Sequence, residues 1–222
     1  MIGFKIAKRA RKVDAGLASK FRELPVANIS DCMSRMTAGG ARIRPMHGGG
    51  ALSGPALTVK TRPGDNLMIH KALDIADPGD VIVVDGGGDL TNALIGELMV
   101  AHAIKRGIAG LVLNGAIRDY DSIHAGKFPV FAAGVTHRGP YKDGPGEINV
   151  AVAIDGMVIE PGDLIVGDGD GMLSVPYVQA EEVYAATRAK HDAETKQFAA
   201  INQGTSDRAW VDVTLKRLGV IG

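Results

Sequence analysis

At 222 residues, with 45% hydrophobic and 23% charged side chains, the chain can bury one sizeable core and has the make-up of an ordinary globular protein. Lys plus Arg number 25 and Asp plus Glu 25, so no net field draws it to nucleic acid or an anionic membrane. Cys32 is the sole cysteine, which excludes an intrachain disulfide and suits a reducing compartment; no apolar run reaches the ~18 residues of a membrane span, and the expected location is the cytoplasm.

The first twelve residues carry Lys5, Lys8, Arg9, Arg11 and Lys12 with no apolar segment behind them. That is not the pattern of a secretory signal, and it reads as a solvated, basic start to a helix. From Pro25 to Met36 the apolar positions Ile29, Met33 and Met36 fall at helical spacing, with Gly39-Gly40 as the stop. Ala56 to Thr61 reads as a strand and Asn66 to Ala76 as a helix. The β-branched run Val81 to Gly88 has the look of a buried strand ending in glycines. A helix ending near Arg106-Gly107 follows. A second buried strand spans Gly110 to Gly115, then a short helix starts near Asp119 and a third strand lies around Pro129 to Gly134. From Ile148 to Pro176, short apolar runs alternate with Asp-Gly and Pro-Gly turns, which predicts antiparallel hairpins. One long helix is expected from Tyr177 to about Ala200, and another in the tail beyond Gly204. The fold class is therefore α/β: a parallel βαβ part, an antiparallel β part and C-terminal helices, expected as one unit over 1–222.

Several familiar sites fail on spacing. Gly86 and Gly88 begin a dinucleotide fingerprint, but Thr91 stands where its third glycine belongs. Asp168-Gly169-Asp170-Gly171 starts like a calcium loop, yet Met172 and Gln179 occupy positions where oxygen ligands are needed; a glycine-rich hairpin is the better reading. The six histidines form no H-x-x-x-H pair and meet no cysteine cluster.

What remains is Gly96 to Asp119. Gly96 opens a helix, so the first-turn N–H groups of Gly96, Glu97, Leu98 and Met99 are expected to lack intrahelical partners and to cradle a carboxylate. Arg118 and Asp119 follow the second buried strand at the sheet edge where open α/β proteins bind ligands. An arginine fork suits a carboxylate or enolate oxygen, and a single aspartate suits Mg²⁺, which keeps several waters. The same two residues would equally serve as a pair capping a turn after a strand, and spacing alone hardly separates these readings.

These residues resemble the signature of the 4-hydroxy-4-methyl-2-oxoglutarate / 4-carboxy-4-hydroxy-2-oxoadipate aldolase family, which includes regulator of ribonuclease E activity A. The similarity covers roughly 20 to 205. It rests on Asn66 and His70, the P-G-D-V-I-V-V-D-G run, the glycine-marked stretch from Gly96 to Gly110, the G-x-x-R-D of Gly115 to Asp119 and the late G-D-x-D-G-x-x-x-V-P. The resemblance implies a swivelling β/β/α-type fold, a trimer or hexamer, and a metal-dependent aldolase releasing pyruvate without a Schiff base. It further implies that Gly96 to Met99 bind substrate through their amides, that Arg118 binds it and stabilises an enolate, and that Asp119 holds Mg²⁺ or Mn²⁺. Asn66, His70 and, from a neighbouring subunit, Glu194 are the matching further candidates; His70 could equally be a helix-face histidine and Glu194 a surface charge. Oxaloacetate decarboxylation would pass through the same enolate. Two rival readings stand beside this one: a non-enzymatic regulator of an RNA-processing enzyme, and a Schiff-base aldolase built on Lys60. No nucleic-acid or membrane partner is expected.

Overall fold

Residues 2–37 and 40–222 are described by a computed structural model. The basic start is a strand rather than a helix: β1 (Phe4–Ile6) pairs in parallel with residues 146–148, and the chain then runs on extended. Arg9 explains why. Its guanidinium reaches Asp77 (3.1 Å) and the fully buried Asp80 (2.8 Å) and donates to the Ala56 carbonyl, while Lys12 reaches Asp77 at 2.7 Å. Of the charges read as solvated, Arg9 and Lys12 are thus partners for a buried carboxylate, whereas Lys5 and Lys8 are exposed.

The first helix, α1 (Ala15–Phe21), is capped by Asp14, whose carboxylate accepts from the Gly16 and Leu17 amides. The next, α2 (Val26–Cys32), stops well before Met36. Its end is a local device: Ser34 and Arg35 turn to positive φ, the Ser34 amide bonds Asp31 O and the Arg35 amide bonds Ser30 O, a Schellman-type closure. Gly39, the expected stop, lies outside the described residues.

The short β2 (Arg44–Pro45) precedes β3 (Leu52–Thr61), longer than expected and buried nearly throughout. Then come α3 (Leu67–Ile75), β4 (Val81–Asp85), the unforeseen β5 (Ala93–Ile95), α4 (Glu97–Lys105), β6 (Gly110–Ile117), α5 (Tyr120–Ala125) and β7 (Val130–Val135). Strands β3, β4, β6 and β7 are mutually parallel neighbours, and β5 adds to the far end of β6. Alternation along β4 divides the core. Ile82 and Val84 pack with Met68, Ile69, Leu73, Val100 and Ala103 of α3 and α4, whereas Val81 and Val83 face the other side.

That other side is covered by α1, α2 and the antiparallel part. Here β8 (Gly146–Ile148) lies between β1 and β3, β9 (Val152–Ile154) and β10 (Met157–Ile159) form one hairpin, and β11 (Leu164–Asp168) and β12 (Gly171–Val175) form another that joins β3. The Asp168 to Gly171 segment is accordingly a hairpin turn. A 3₁₀ turn at Tyr177–Gln179 leads into the 23-residue α6 (Ala180–Asn202), and α7 (Ala209–Arg217) ends the chain. The start of α6 buries Val183 and Thr187; its last turns expose Phe198 and Ile201, and α7 buries no residue. No helix among the described residues is long and apolar enough to cross a membrane. The α/β class, with parallel strands, antiparallel strands and C-terminal helices, is as expected.

Candidate active site

Two strand ends build the site. Parallel pairing carries β6 past β4 to its junction with β5, where the Arg118 amide donates to Ile95 O at 3.0 Å. Asp119 then takes a left-handed conformation (φ 57°, ψ 41°) as the residue before α5, which aspartate tolerates better than most residues. This turn brings its carboxylate against the start of α4: Oδ2 accepts from the Glu97 amide at 3.0 Å. Asp119 thereby caps a neighbouring helix, a stabilising place for a negative charge.

Gly96 makes that approach possible. Its φ of −144° is ordinary extended backbone. A Cβ there, however, would overlap the Asp119 carboxylate and stand 3.0 Å from Arg118 Cγ. Only hydrogen fits.

The cradle of four N–H groups is reduced to two by the geometry. The Glu97 amide is taken by Asp119, and the Met99 amide bonds Gly96 O at 3.1 Å. The Gly96 and Leu98 amides have no acceptor among the described residues. Arg118 stands 3.7 Å from Asp119 Oδ2, half-exposed, and donates to no protein acceptor among those residues. The Arg–Asp pair is therefore not a closed mutual cap: the arginine fork and one carboxylate oxygen remain available.

These groups open into a cleft of about 240 Å³ lined by Asn66, His70, Ile95, Gly96, Leu98, Met99, Arg118, Asp119, Pro140 and Lys142. Buried Asn66 has a fixed amide: Nδ2 donates to Leu94 O (2.9 Å) and toward Met99 Sδ (3.4 Å), so Oδ1 is left for Lys142 Nζ at 3.4 Å. His70 lies one helical turn further along α3. Burial of its ring, together with Lys142 and His102, holds it below the usual histidine range against the opposing pull of Asp74; the imidazole is neutral at neutral pH.

The structure thus brings Asn66, His70, Gly96, Leu98, Met99, Arg118 and Asp119 together, with Glu97 present through its amide. Glu194 lies elsewhere in the same chain. It pairs with Lys190 (3.0 Å), accepts from Asn28 Nδ2 (2.8 Å), and borders a separate groove with Gln197, Phe198 and Ile201. Lys190 and Asn28 hold its carboxyl below the ordinary range. Lys60 lines a different depression with Gly3, Arg62 and Glu147, away from the cleft. The lysine inside the cleft, Lys142, escapes sequence reasoning because its Gly- and Pro-rich loop follows no periodic pattern; Pro140 and Ile95 escape it likewise.

For a divalent ion the donor set fits one arrangement. Among the described residues no three His, Cys, Asp or Glu side chains gather as a metal site. Asp119 alone faces the cleft with Oδ1 unengaged, which matches Mg²⁺, an ion held by one or two carboxylates that completes its shell with water and substrate oxygens.

An α/β protein with a small, cation-walled cleft at the C-terminal edge of its parallel strands is the class this geometry defines. A family model described as "RraA-like: Aldolase/RraA" matches residues 26–174, and the chain belongs to that family. It is 40% identical over 195 residues to a protein of Halalkalibacterium halodurans provisionally named 4-hydroxy-4-methyl-2-oxoglutarate aldolase, covering 87% of this chain and 93% of the relative. An uncharacterised protein from Pseudomonas syringae pv. tomato superposes with a TM-score of 0.79 at 28% identity, over 88% of this chain and 96% of that one. The RNA-processing inhibitor RraA from Thermus thermophilus superposes with a TM-score of 0.64 at 29% identity, over 69% and 93%.

Proposed function

We propose that the protein is a carbon–carbon lyase that cleaves a 4-hydroxy-2-oxo di- or tricarboxylic acid to pyruvate and a second oxo acid, and that it also decarboxylates oxaloacetate. The observation that carries this reading is the convergence of two open amides, an unengaged arginine fork and an unengaged carboxylate oxygen on one small cleft. The aldolase name of the Halalkalibacterium relative supports it.

In this reading the Gly96 and Leu98 amides receive the C1 carboxylate at the positive end of α4. Arg118 donates to the 2-oxo oxygen, where negative charge grows as the reaction proceeds; donors aimed at developing charge lower the barrier most. Neutral His70 takes the C4 hydroxyl proton. The C3–C4 electron pair moves toward C2, C4 becomes the carbonyl of the departing oxo acid, and the pyruvate enolate is then protonated at C3. With oxaloacetate the same bond releases CO₂ and leaves the same enolate. Asp119 is the residue that would hold Mg²⁺ or Mn²⁺, which supplies Lewis-acid polarisation of the 2-oxo group when bound. Lys142 offers a second positive charge for a distal carboxylate, consistent with a di- or tricarboxylic substrate.

The test is pyruvate release from a panel of 4-hydroxy-2-oxo acids and from oxaloacetate, with EDTA and with Mg²⁺ or Mn²⁺ restored. Turnover that EDTA abolishes and metal restores is expected. No release from any member of the panel with metal present sinks the lyase reading, and undiminished rates in EDTA sink the metal assignment. Borohydride trapping with pyruvate should give no adduct; labelling at Lys142 would convert the mechanism to a Schiff-base one. A regulatory reading rests on the Thermus RraA neighbour and gains ground only if the panel is inert.

A further inference from the structure

One buried carboxylate next to the cleft takes no part in the chemistry above. Asp65 follows the Arg62-Pro63-Gly64 turn, in which its own amide bonds Arg62 O at 3.0 Å and Gly64 has φ 74°. Its side chain has no exposure, yet it is fully engaged. Oδ1 accepts from the Leu67 amide at 2.9 Å, at the start of α3. Oδ2 accepts from the Asp143 amide (2.9 Å), the Gly144 amide (2.8 Å) and the Arg62 guanidinium (3.0 Å). Backbone bonds run alongside: the Asn66 amide donates to Tyr141 O at 3.0 Å, and the Tyr141 amide to Gly64 O at 2.9 Å.

These bonds join two segments that both line the cleft. Asn66 and His70 come from α3 and the residue before it; Pro140 and Lys142 come from the loop between β7 and β8. Among the described residues the Lys142 ammonium reaches only Asn66 Oδ1, and its amide bonds the exposed Asp143 Oδ1 at 3.0 Å. A loop carrying Gly139, Pro140, Gly144 and Pro145 has no regular ladder of its own to set its position. Charge-assisted bonds to a desolvated carboxylate are stronger than neutral ones. Burial pushes the Asp65 carboxyl up, but the Leu67, Asp143 and Gly144 amides and Arg62 together outweigh it and keep the group ionised.

We infer that Asp65, which does not itself line the cleft, is a positioning residue that sets the Lys142 wall against the Asn66–His70 wall. The inference rests on the lyase reading for what the wall binds, but the clamp itself is a property of the folded chain. It predicts that substrate binding, rather than the chemical step, depends on Asp65, because a displaced Lys142 loses the distal carboxylate in ground and transition state alike.

The experiment is a double-mutant cycle on the full chain, read by KM and kcat for a 4-hydroxy-2-oxo dicarboxylate. Asp65→Asn should raise KM on the order of tenfold with kcat nearly unchanged, since an amide replaces a charged acceptor of four donors. Lys142→Ala should raise KM comparably. The double variant should match Lys142→Ala alone, because residues acting through one another do not add. Multiplicative effects, or a fall in kcat with unchanged KM, overturn the inference. Amide hydrogen exchange provides a reading that needs no turnover and no variant that folds. In the wild-type chain the Asp143 and Gly144 amides should be strongly protected relative to the Lys142 amide, whose acceptor is the exposed Asp143 carboxylate, and Asp65→Asn should speed their exchange at least tenfold if it folds. Rapid exchange of both amides in the wild type overturns the clamp. An inert wild-type enzyme with protected amides would instead sink the lyase reading and leave the clamp standing.

Discussion

At the scale of single residues, the site depends on one missing side chain. Gly96→Ala would place a methyl group in the space held by the Asp119 carboxylate, so either Asp119 or the start of α4 must shift. The interior of α4 and the strands are untouched, and thermal stability should change little. A displacement of that size in a catalytic constellation costs roughly 10²-fold, so kcat/KM for pyruvate release should fall by about that factor. Retention of wild-type kinetics would show that the close approach has no functional part. His70 yields a second expectation at this scale, with a definite sign. Its pKa is lowered in the folded chain, so below about 6.5 the unfolded chain takes a proton that the native chain resists. Stability therefore falls as pH drops through the window between the ordinary and the lowered value, and levels off beneath it. If the neutral ring is the base, kcat/KM falls in the same direction with its midpoint at the lowered value. The pH profile should lose that acid limb in His70→Gln; an unchanged limb assigns the base elsewhere.

Among the elements, the N-terminal strap is the one whose role its composition conceals. Its hydrophilic look comes from Arg9 and Lys12, but their partners are Asp77 and the fully buried Asp80. Asp80 also accepts from the Asp77 amide at 2.9 Å, closing the turn that feeds β4, while its Oδ1 has no hydrogen-bond partner. Removing Arg9 leaves the buried carboxylate with the Asp77 amide and, as its one cation, Lys12 at 3.6 Å. Breaking a buried pair at one end costs several kcal/mol, and the remaining lysine moderates that. Arg9→Ala should thus lower unfolding stability by about 2–3 kcal/mol in urea titration, whereas Lys8→Ala should be near neutral. Equal, small effects from both would return the strap to a solvated role.

For the molecule as a whole, the C-terminal helices are the part whose apolar side chains a single chain leaves most uncovered. Trp210, Val213, Phe198 and Ile201 are all more than half exposed, and clustered exposed apolar side chains mark surfaces that dock on a partner. We propose that this face docks on a second copy and carries Glu194 into that copy's cleft, since within one chain Glu194 and Asp119 do not meet. Inactive Asp119→Ala and Glu194→Ala subunits, mixed under conditions of verified exchange, should then regain activity at interfaces that unite an intact Asp119 with an intact Glu194. Full activity of Glu194→Ala alone, or no recovery in the mixture, makes Glu194 the local partner of Asn28 and Lys190 and nothing more.

What the sequence by itself determined was local: the buried strands β4, β6 and β7 in their β-branched runs, the glycine and proline turns between them, the hairpins after 148, the long helix α6, and the Gly96–Met99 and Arg118–Asp119 segments, which meet at one cleft. Each of these follows from side-chain periodicity or turn preference within a few residues. Tertiary structure alone decided the rest. The strand β1 exists because a partner 142 positions away offers an edge, and Ser34 ends α2 early through bonds that no apolar spacing announces. The amides of Glu97 and Met99 are spent on Asp119 and Gly96, so a cradle of four becomes a cradle of two. Lys142 and Pro140 enter the cleft because buried Asp65 bonds a loop nearly 80 positions downstream. Contacts across such separations depend on which surfaces close packing leaves adjacent, and periodicity along the chain carries no record of that.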